Sequence, residues 1–463
     1  MPRGRDGGGR DREPSRRSDG IANEERLRAL GDAVVGRTPP ASPRPARRRG
    51  RRRAGRIALI SVASLVALLV VVVGGGYLYA NWRFSQIHKI NVTSEVKPIS
   101  GKPFNILVVG SDSRAGLSGL VGRQTGASAG LVAGQRSDVV KIVHVDPPAG
   151  TISVISIPRD TMVTLLANQN LYGQANRINV NFGNGPSLLA QTITANFGIP
   201  INDTVVVSFA GLINAADALG GVYLDFPYPA ADPYSGLRIR HPGCQLIKGF
   251  EALAVVRSRH YYYNVKGHGV WPGDNTPPAT LYADGWLYDG TSDFGRIERQ
   301  SAFLRAMVER GKTLYNPLTI NDFLSKIPQG ITLDQNFSLN ELVGLAVRFH
   351  SLNANAISTY TLPVYSATNP VLGDVLYVQQ PETQQLFVNV FGSGLETPTN
   401  PPPNSSGQTP LPPTIAPTTT TSAGSIPATR TGSASGHAKR ASATTTTSPT
   451  STYASYNPRP CAP

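Results

Sequence analysis

An uninterrupted apolar run, Ile57 to Ala80, divides this chain before any other feature is weighed. It holds no charged residue and is rich in Val, Leu, Ile and Ala. At about 1.5 Å of rise per residue, a helix of that length crosses the roughly 30 Å hydrocarbon layer of a bilayer. The run is too long for a secretory signal and lacks a clear small-residue cleavage site, so it reads as an uncleaved anchor. On its amino side lie the arginine block from Arg47 to Arg53 and then Arg56. Basic flanks stay in the cytoplasm, which puts the N-terminus inside and the bulk of the chain outside.

The charge distribution follows the same partition. The net charge is +15, of which +10 falls in residues 1–56 and +3 from Leu395 onward, leaving only +2 for the stretch between. An arginine-rich head could attract nucleic acid. This one contains no aromatic residue and no DNA-binding pattern, so it is expected to be a disordered, topology-setting segment touching anionic lipid, with no nucleic-acid partner. The tail, 395–463, is Pro, Thr, Ser and Gly and cannot bury enough apolar area to fold. The expected organisation is therefore a head (1–56), an anchor (57–80), a linker (81–96), one extracytoplasmic domain (97–394) and a tail. Cys244 and Cys461 both lie on the outer side, where oxidation is permitted. A bridge pinning the end of the tail to the domain is open, with no spacing pattern to support it.

The domain alternates strand-like and helix-like stretches, as an α/β fold with a central sheet does. Asn105–Val109, Val139–Val145, Thr151–Ile157, Val205–Phe209 and Val222–Phe226 read as strands. Ser187–Phe197, Leu212–Leu219, Gln300–Lys312 and Leu339–Phe349 have helical spacing.

Short clusters of arginine and aspartate punctuate this pattern: Gly110 to Arg114, Arg136 to Asp138, Ile157 to Asp160, Arg257 to Arg259 and Asp293 to Gln300. A guanidinium offers a fixed fork of donors that matches phosphate geometry and stays charged at ordinary pH. Arginines at strand ends beside metal-capable aspartates point to a polyanionic ligand, a pyrophosphate above all. Taken singly, each Arg-Asp pair has a blander reading as a solvated ion pair. For Asp160 alone, a role in capping the next turn or holding Arg159 is the better one.

In order along the chain, these motifs, one of them extended and two more added, resemble the LytR-CpsA-Psr family of bacterial cell-envelope proteins. The added segments are Arg177 to Asn179 and Ala218 to Val222, and the Arg257 cluster extends back to Gly249. The resemblance implies a central mixed sheet flanked by helices, behind one transmembrane helix. It also implies glycopolymer ligation: a polymer on a polyprenyl pyrophosphate moves to a muramic acid hydroxyl of peptidoglycan, releasing the lipid phosphate. Carried onto this sequence, it gives Asp112 and Asp138 to magnesium or manganese. Arg114, Arg136, Arg159, Arg177, Arg257, Arg259, Arg296 and Gln300 go to the pyrophosphate, and Asp112, Asp138, Arg159, Arg257 and Arg259 form the catalytic set. Asp160 or Asp112 is left to take the acceptor proton. Composition suggests a high-GC actinobacterium and hence arabinogalactan or a related wall glycan as cargo.

Two departures stand out. Ser301 follows Arg299-Gln300 where the family commonly has a second Gln, and the Tyr-, Gly- and Trp-rich stretch from Arg259 to Asp293 is long, suiting a loop over acceptor or glycan. Arg296 and Gln300, four apart, share a helix face, and Arg299 is expected to face solvent. Apolar residues such as Leu188, Leu189, Ile193, Phe197, Leu212, Ile213 and Leu219 could line a lipid tunnel, although periodicity favours ordinary core. A lipid pyrophosphatase using water as acceptor, or a non-catalytic membrane regulator, would be the competing functions.

Overall fold

Register turns the alternating apolar residues of two long strands into a two-faced sheet. The computed structural model describes residues 49–92, 101–113, 117, 137–166, 175–273, 276–312, 317–349, 357–405 and 455–462. It comprises two units, one ending at Gly75 and one beginning at Gly76. Helix α1, Arg49–Phe84, contains the stretch Leu59–Phe84, long and apolar enough to cross a membrane. Leu69 and Val71 on it are exposed, as suits side chains that face lipid rather than a protein core.

In the second unit, strands β1 (His88–Ile90), β2 (Phe104–Ser111), β3 (Ser137–Asp146), β4 (Thr151–Ile157) and β5 (Asp203–Val207) belong to one sheet. Strands β6 (Val222–Phe226), β7 (Ala230–Asp232), β8 (Leu237–Ile239), β9 (Gly243–Ile247), β10 (Tyr262–Asn264) and β11 (Trp286–Tyr288) follow. Then come β12 (Ile331–Asp334), β13 (Ser358–Thr361) and β14 (Arg459–Pro460). The main sheet has the order β1-β12-β5-β2-β3-β4-β13. It is mixed: β2 runs parallel to β5 and antiparallel to β3.

Leu107 sits opposite Ile142 and Val109 opposite Val140, while Ile155 and Ile157 continue both rows on β4. All six are buried against helix α2, Pro186–Phe197. Leu189, Ile193 and Phe197 recur every four residues along α2 and are core. The opposite face presents Val108, Val139, Lys141 and Val143 toward helices α3 (Phe209–Ala218), α4 (Gly249–Arg257) and α5 (Asp293–Gly311).

Several boundaries differ from the sequence reading. The expected linker 81–96 includes the end of α1 and then β1, which pairs in parallel with β12. Phe84 and Ile87 are buried beside Leu333 and Phe337, so this segment packs as part of the domain. Helix α5 begins at Asp293 rather than near Gln300. Its first turns, Asp-Phe-Gly-Arg, carry too much charge and a glycine to display an apolar stripe. Phe209, expected to end a strand, instead opens α3, because the Ser208 hydroxyl caps the helix by accepting from the Gly211 amide.

The tail also departs from expectation. Glu396 donates its amide to the Gly198 carbonyl and Asn400 to that of Ala195, and Pro401 to Pro403 are buried. Arg459–Pro460 add β14 to the edge of β6, and Cys461 is disulfide-bonded to Cys244, with Cα atoms 6.0 Å apart. A few backbone bonds and one covalent link suffice to dock a segment whose composition forbids a core of its own.

Candidate active site

Three neighbouring strand ends and the start of one helix bring the charged motifs together. Between β2 and β3 the register shifts at Gly110/Ser111, where Gly110 pairs with Val139 and Ser111 with Ser137. Asp138 is thus the extra residue of a bulge, a device that re-aims a side chain at a sheet's rim. The backbones are close there: a Cβ on Gly110 would lie 2.8 Å from that of Val139. Asp112, just past β2, lines the same cavity as Asp138. Arg159 and Asp160 follow β4. Arg257 closes α4 with Arg259 two residues on, and Asp293, Arg296 and Gln300 stand on α5.

The guanidiniums converge on two carboxylates. Arg159 Nη1 and Arg259 Nη2 lie 3.0 and 3.3 Å from Asp138 Oδ1. Arg296 Nη2, Arg259 Nε and Arg159 Nε lie 2.7, 3.4 and 3.9 Å from Asp293 Oδ1. Arg296 also donates to the Asp138 carbonyl at 2.9 Å. Burial by itself would raise the Asp138 pKa, but Arg296, Arg259 and Arg159 together outweigh it and hold the carboxyl below its usual range. Burial lowers Arg296 to about 10, so it stays charged at neutral pH. Asp293 was quoted only as the start of a motif, yet it is the hub for three arginines.

Asp160 does hold Arg159, at 3.3 Å from Nε, and reaches Arg177 Nε at 3.4 Å. Arg177 donates further to the carbonyls of Leu372 and Asp374 and is not among the cavity-lining residues. It stands behind Asp160 rather than inside. Arg257 lines the cavity with its guanidinium 4.9 Å from the centre of the Phe209 ring, and Gln300 lines it while donating to the Val256 carbonyl. Arg114 and Arg136 lie outside the described residues.

The LytR_cpsA_psr family model matches residues 77–265 and 286–390. The chain belongs to the LytR-CpsA-Psr family. It is 28% identical to the probable cell wall biosynthesis protein LcpB of Corynebacterium glutamicum, over 76% of this chain and 77% of that protein. With the polyisoprenyl-teichoic acid–peptidoglycan teichoic acid transferase TagV of Bacillus subtilis it shares 27% identity, over 64% of this chain and 68% of that one. Among solved structures it is similar to a LytR-Csp2A-Psr enzyme from Actinomyces oris, at 20% identity and a TM-score of 0.49, covering 68% of this chain and 97% of that one. The family match breaks over residues 266–285, inside the stretch that looked long.

Three residues of this LytR-CpsA-Psr domain matter more than their sequence context suggested. Arg299, expected to face solvent, is fully buried. It pairs with Asp289 at 2.9 Å, donates to the Ser258 carbonyl and the Asn457 side chain, and lies 4.4 Å from the centre of the Tyr261 ring. It therefore supports the backbone of Arg257-Ser258-Arg259 from beneath. A Cβ at Gly295 would be 2.7 Å from Asp289 Oδ2, so the glycine lets α5 approach this pair.

Asp232, also buried, accepts from the Ser258 hydroxyl and the Arg259 and His260 amides through Oδ2, and from the Tyr234 and Ser235 amides through Oδ1. No motif contains it. Its partners are backbone donors brought in by two separate loops, which sequence spacing cannot reveal. Lys141, inside the apolar row of β3, lines the cavity and donates to Ser156 Oγ at 2.5 Å. Burial first, and then Arg296, depress its amine to about 7.

Behind the arginines the cavity, about 530 Å³, runs between the sheet and the helices past Val108, Val143, Leu212, Leu253, Phe303 and Met307. The apolar residues that periodicity favoured as core are divided by the cavity. Leu189, Ile193 and Phe197 are core and Leu219 is buried, whereas Leu212 alone among them lines the cavity. Among the described residues no group of three or more His, Cys, Asp or Glu could hold a metal. Asp112 and Asp138 both line the cavity, and a pair of carboxylates is a kind of set that magnesium can complete with phosphate oxygens and water.

Proposed function

We propose that this chain is a phosphotransferase that moves a glycopolymer from a polyprenyl pyrophosphate to a muramic acid hydroxyl of peptidoglycan. The observation that carries the reading is the joining of Arg159, Arg259 and Arg296 to a deep apolar cavity. One end suits a pyrophosphate and the other a prenyl chain. That relatives bear names of cell-wall biosynthesis and teichoic acid transfer supports the same class. The cargo we assign is arabinogalactan or a related secondary wall glycan, a choice that rests on composition.

The donor carries its activation energy in the anhydride, so the protein must bind, orient and neutralise. Pyrophosphate oxygens take the places now filled by Asp138 and Asp293 against Arg159, Arg259 and Arg296. Asp112 and Asp138 would hold magnesium or manganese, which when bound supplies charge neutralisation to the phosphates. The acceptor hydroxyl oxygen forms a bond to the glycan-side phosphorus and its proton passes to a carboxylate, Asp160 or Asp112. The bridging P–O bond breaks, and the prenyl monophosphate leaves against Arg159 and Arg296. The helix α1 precedes this domain, with its arginine flank in the cytoplasm and the site outside. Incubating the full chain with lipid-linked donor and peptidoglycan tests the reading: ligated product supports it, while phosphate release without ligation favours a pyrophosphatase.

A further inference from the structure

Aromatic rings crowd one edge of the cavity, on segments that flank residues 266–285, where the family match breaks. Tyr234 and His260 line the cavity itself, with ring centres 4.4 Å apart. His260 stacks toward Tyr288 at 6.4 Å and 18°, and Tyr288 sits directly across the β10/β11 pair from Tyr262, at 5.2 Å. Tyr234 is 70% exposed and Tyr288 37% exposed, so these rings are not filling a core. The loop has a separate small core, in which Trp286, Leu281 and Ala231 are buried and Trp271 packs edge-on to Trp286. Tyr262 packs against that core and so fixes β10 and β11 from below, while Tyr234 and Tyr288 remain exposed.

Placement relative to the arginines is equally fixed. The Asp232 carboxylate that holds the Arg259 amide also holds the amides of Tyr234 and His260. The aromatic surface and the phosphate-facing arginine thus hang from one buried group. A pyranose ring presents C–H bonds on its faces, with weakly positive hydrogens, and an aromatic face presents negative charge density to them. Rigid rings with polar tips bind such faces at low entropic cost.

We propose that the surface formed by Tyr234, His260 and Tyr288 is a carbohydrate subsite for the first sugars of the pyrophosphate-linked donor. This rests on the reading given under Proposed function. If the prenyl chain fills the cavity and the pyrophosphate meets Arg159 and Arg259, the sugar attached to that phosphate emerges beside Tyr234 and His260.

The test uses the full chain in detergent micelles and calorimetric binding of two synthetic ligands: a short prenyl pyrophosphate, and the same molecule carrying an N-acetylglucosamine disaccharide. The wild-type protein is expected to bind the sugar-bearing ligand about tenfold more tightly, which corresponds to about 1.4 kcal/mol. Tyr288→Ala and Tyr234→Ala should lose most of that increment, keep the affinity for the bare pyrophosphate, and keep the melting temperature. Tyr288→Phe, which retains the ring face, should retain the increment. Equal affinity for both ligands in the wild-type protein would overturn the subsite while leaving the pyrophosphate reading intact. Failure to bind either ligand would overturn both. Should the alanine variants instead lose binding only of a soluble peptidoglycan disaccharide-peptide, the surface serves the acceptor and the proposal is wrong.

Discussion

Arg159, Arg259 and Arg296 are each held by a carboxylate before any phosphate arrives, and that decides what a substitution removes. Arg159, Arg259 and Arg296 present forks that lysine cannot reproduce. A charge-assisted hydrogen bond is worth roughly 1.5–3 kcal/mol, and about 1.4 kcal/mol corresponds to a factor of ten in rate. Arg159→Lys, Arg259→Lys and Arg296→Lys are each expected to lower the turnover rate of the purified full chain at least about tenfold, with near-normal melting. Near-wild-type turnover in all three would reduce them to structural charges. Arg299 belongs to a different category. It and Asp289 are both fully buried, and removing one partner of a buried pair costs roughly 3–5 kcal/mol. Arg299→Met should therefore show its loss first in denaturant midpoint, and an unchanged midpoint would contradict the buried-pair account. Asp232→Asn, which cannot accept from five donors, should lower both midpoint and turnover.

At the level of elements, β3 carries a charge where its neighbours carry methyl groups. Lys141 has an ordinary pKa of 10.5 and a folded value of about 7. Between those limits the unfolded chain holds a proton that the folded chain has lost, so stability rises with pH across that window. Below pH 7 the full cost of burying the ammonium is present. Lys141→Met should accordingly raise the melting temperature most at pH 6 to 7 and progressively less toward pH 10. A gain independent of pH would place the amine in solvent.

The same strand shows what a sequence discloses and what it withholds. Period-two alternation in Phe104–Ser111, Ser137–Asp146 and Thr151–Ile157 was legible, because one face of each is buried in ordinary core. Asp138, Arg159, Arg259 and Arg296 could be named because strand ends and a helix start carry them in short motifs. Asp232 and the burial of Arg299 could not. Their partners come from Ser258, His260, Tyr234, Asp289 and Asn457, residues that only tertiary structure brings into range. The start of α5 was missed for a related reason: its first turn is charged because it serves the site, and so it lacks the stripe that marks a helix.

For the whole molecule, composition misjudged the last residues. The Cys244–Cys461 bond closes a separation of 217 residues, and Asn457, fully buried, accepts from Arg299 and donates to Glu298. A cross-link over so long a loop contributes about 5.4 kcal/mol in the chain-entropy account. Cys461→Ser should lower the melting temperature clearly, and a reducing agent should lower the wild type to the same value; no difference would show the strap to be dispensable.

The most direct measurement is the stoichiometry of transfer by the full chain, given a lipid-linked glycan donor labelled at both phosphates and peptidoglycan as acceptor. The account predicts one phosphate retained between glycan and peptidoglycan, one prenyl monophosphate released per ligation, and neither in Asp138→Ala. Ligated product without retained phosphate, or turnover undiminished in Asp138→Ala, would contradict it.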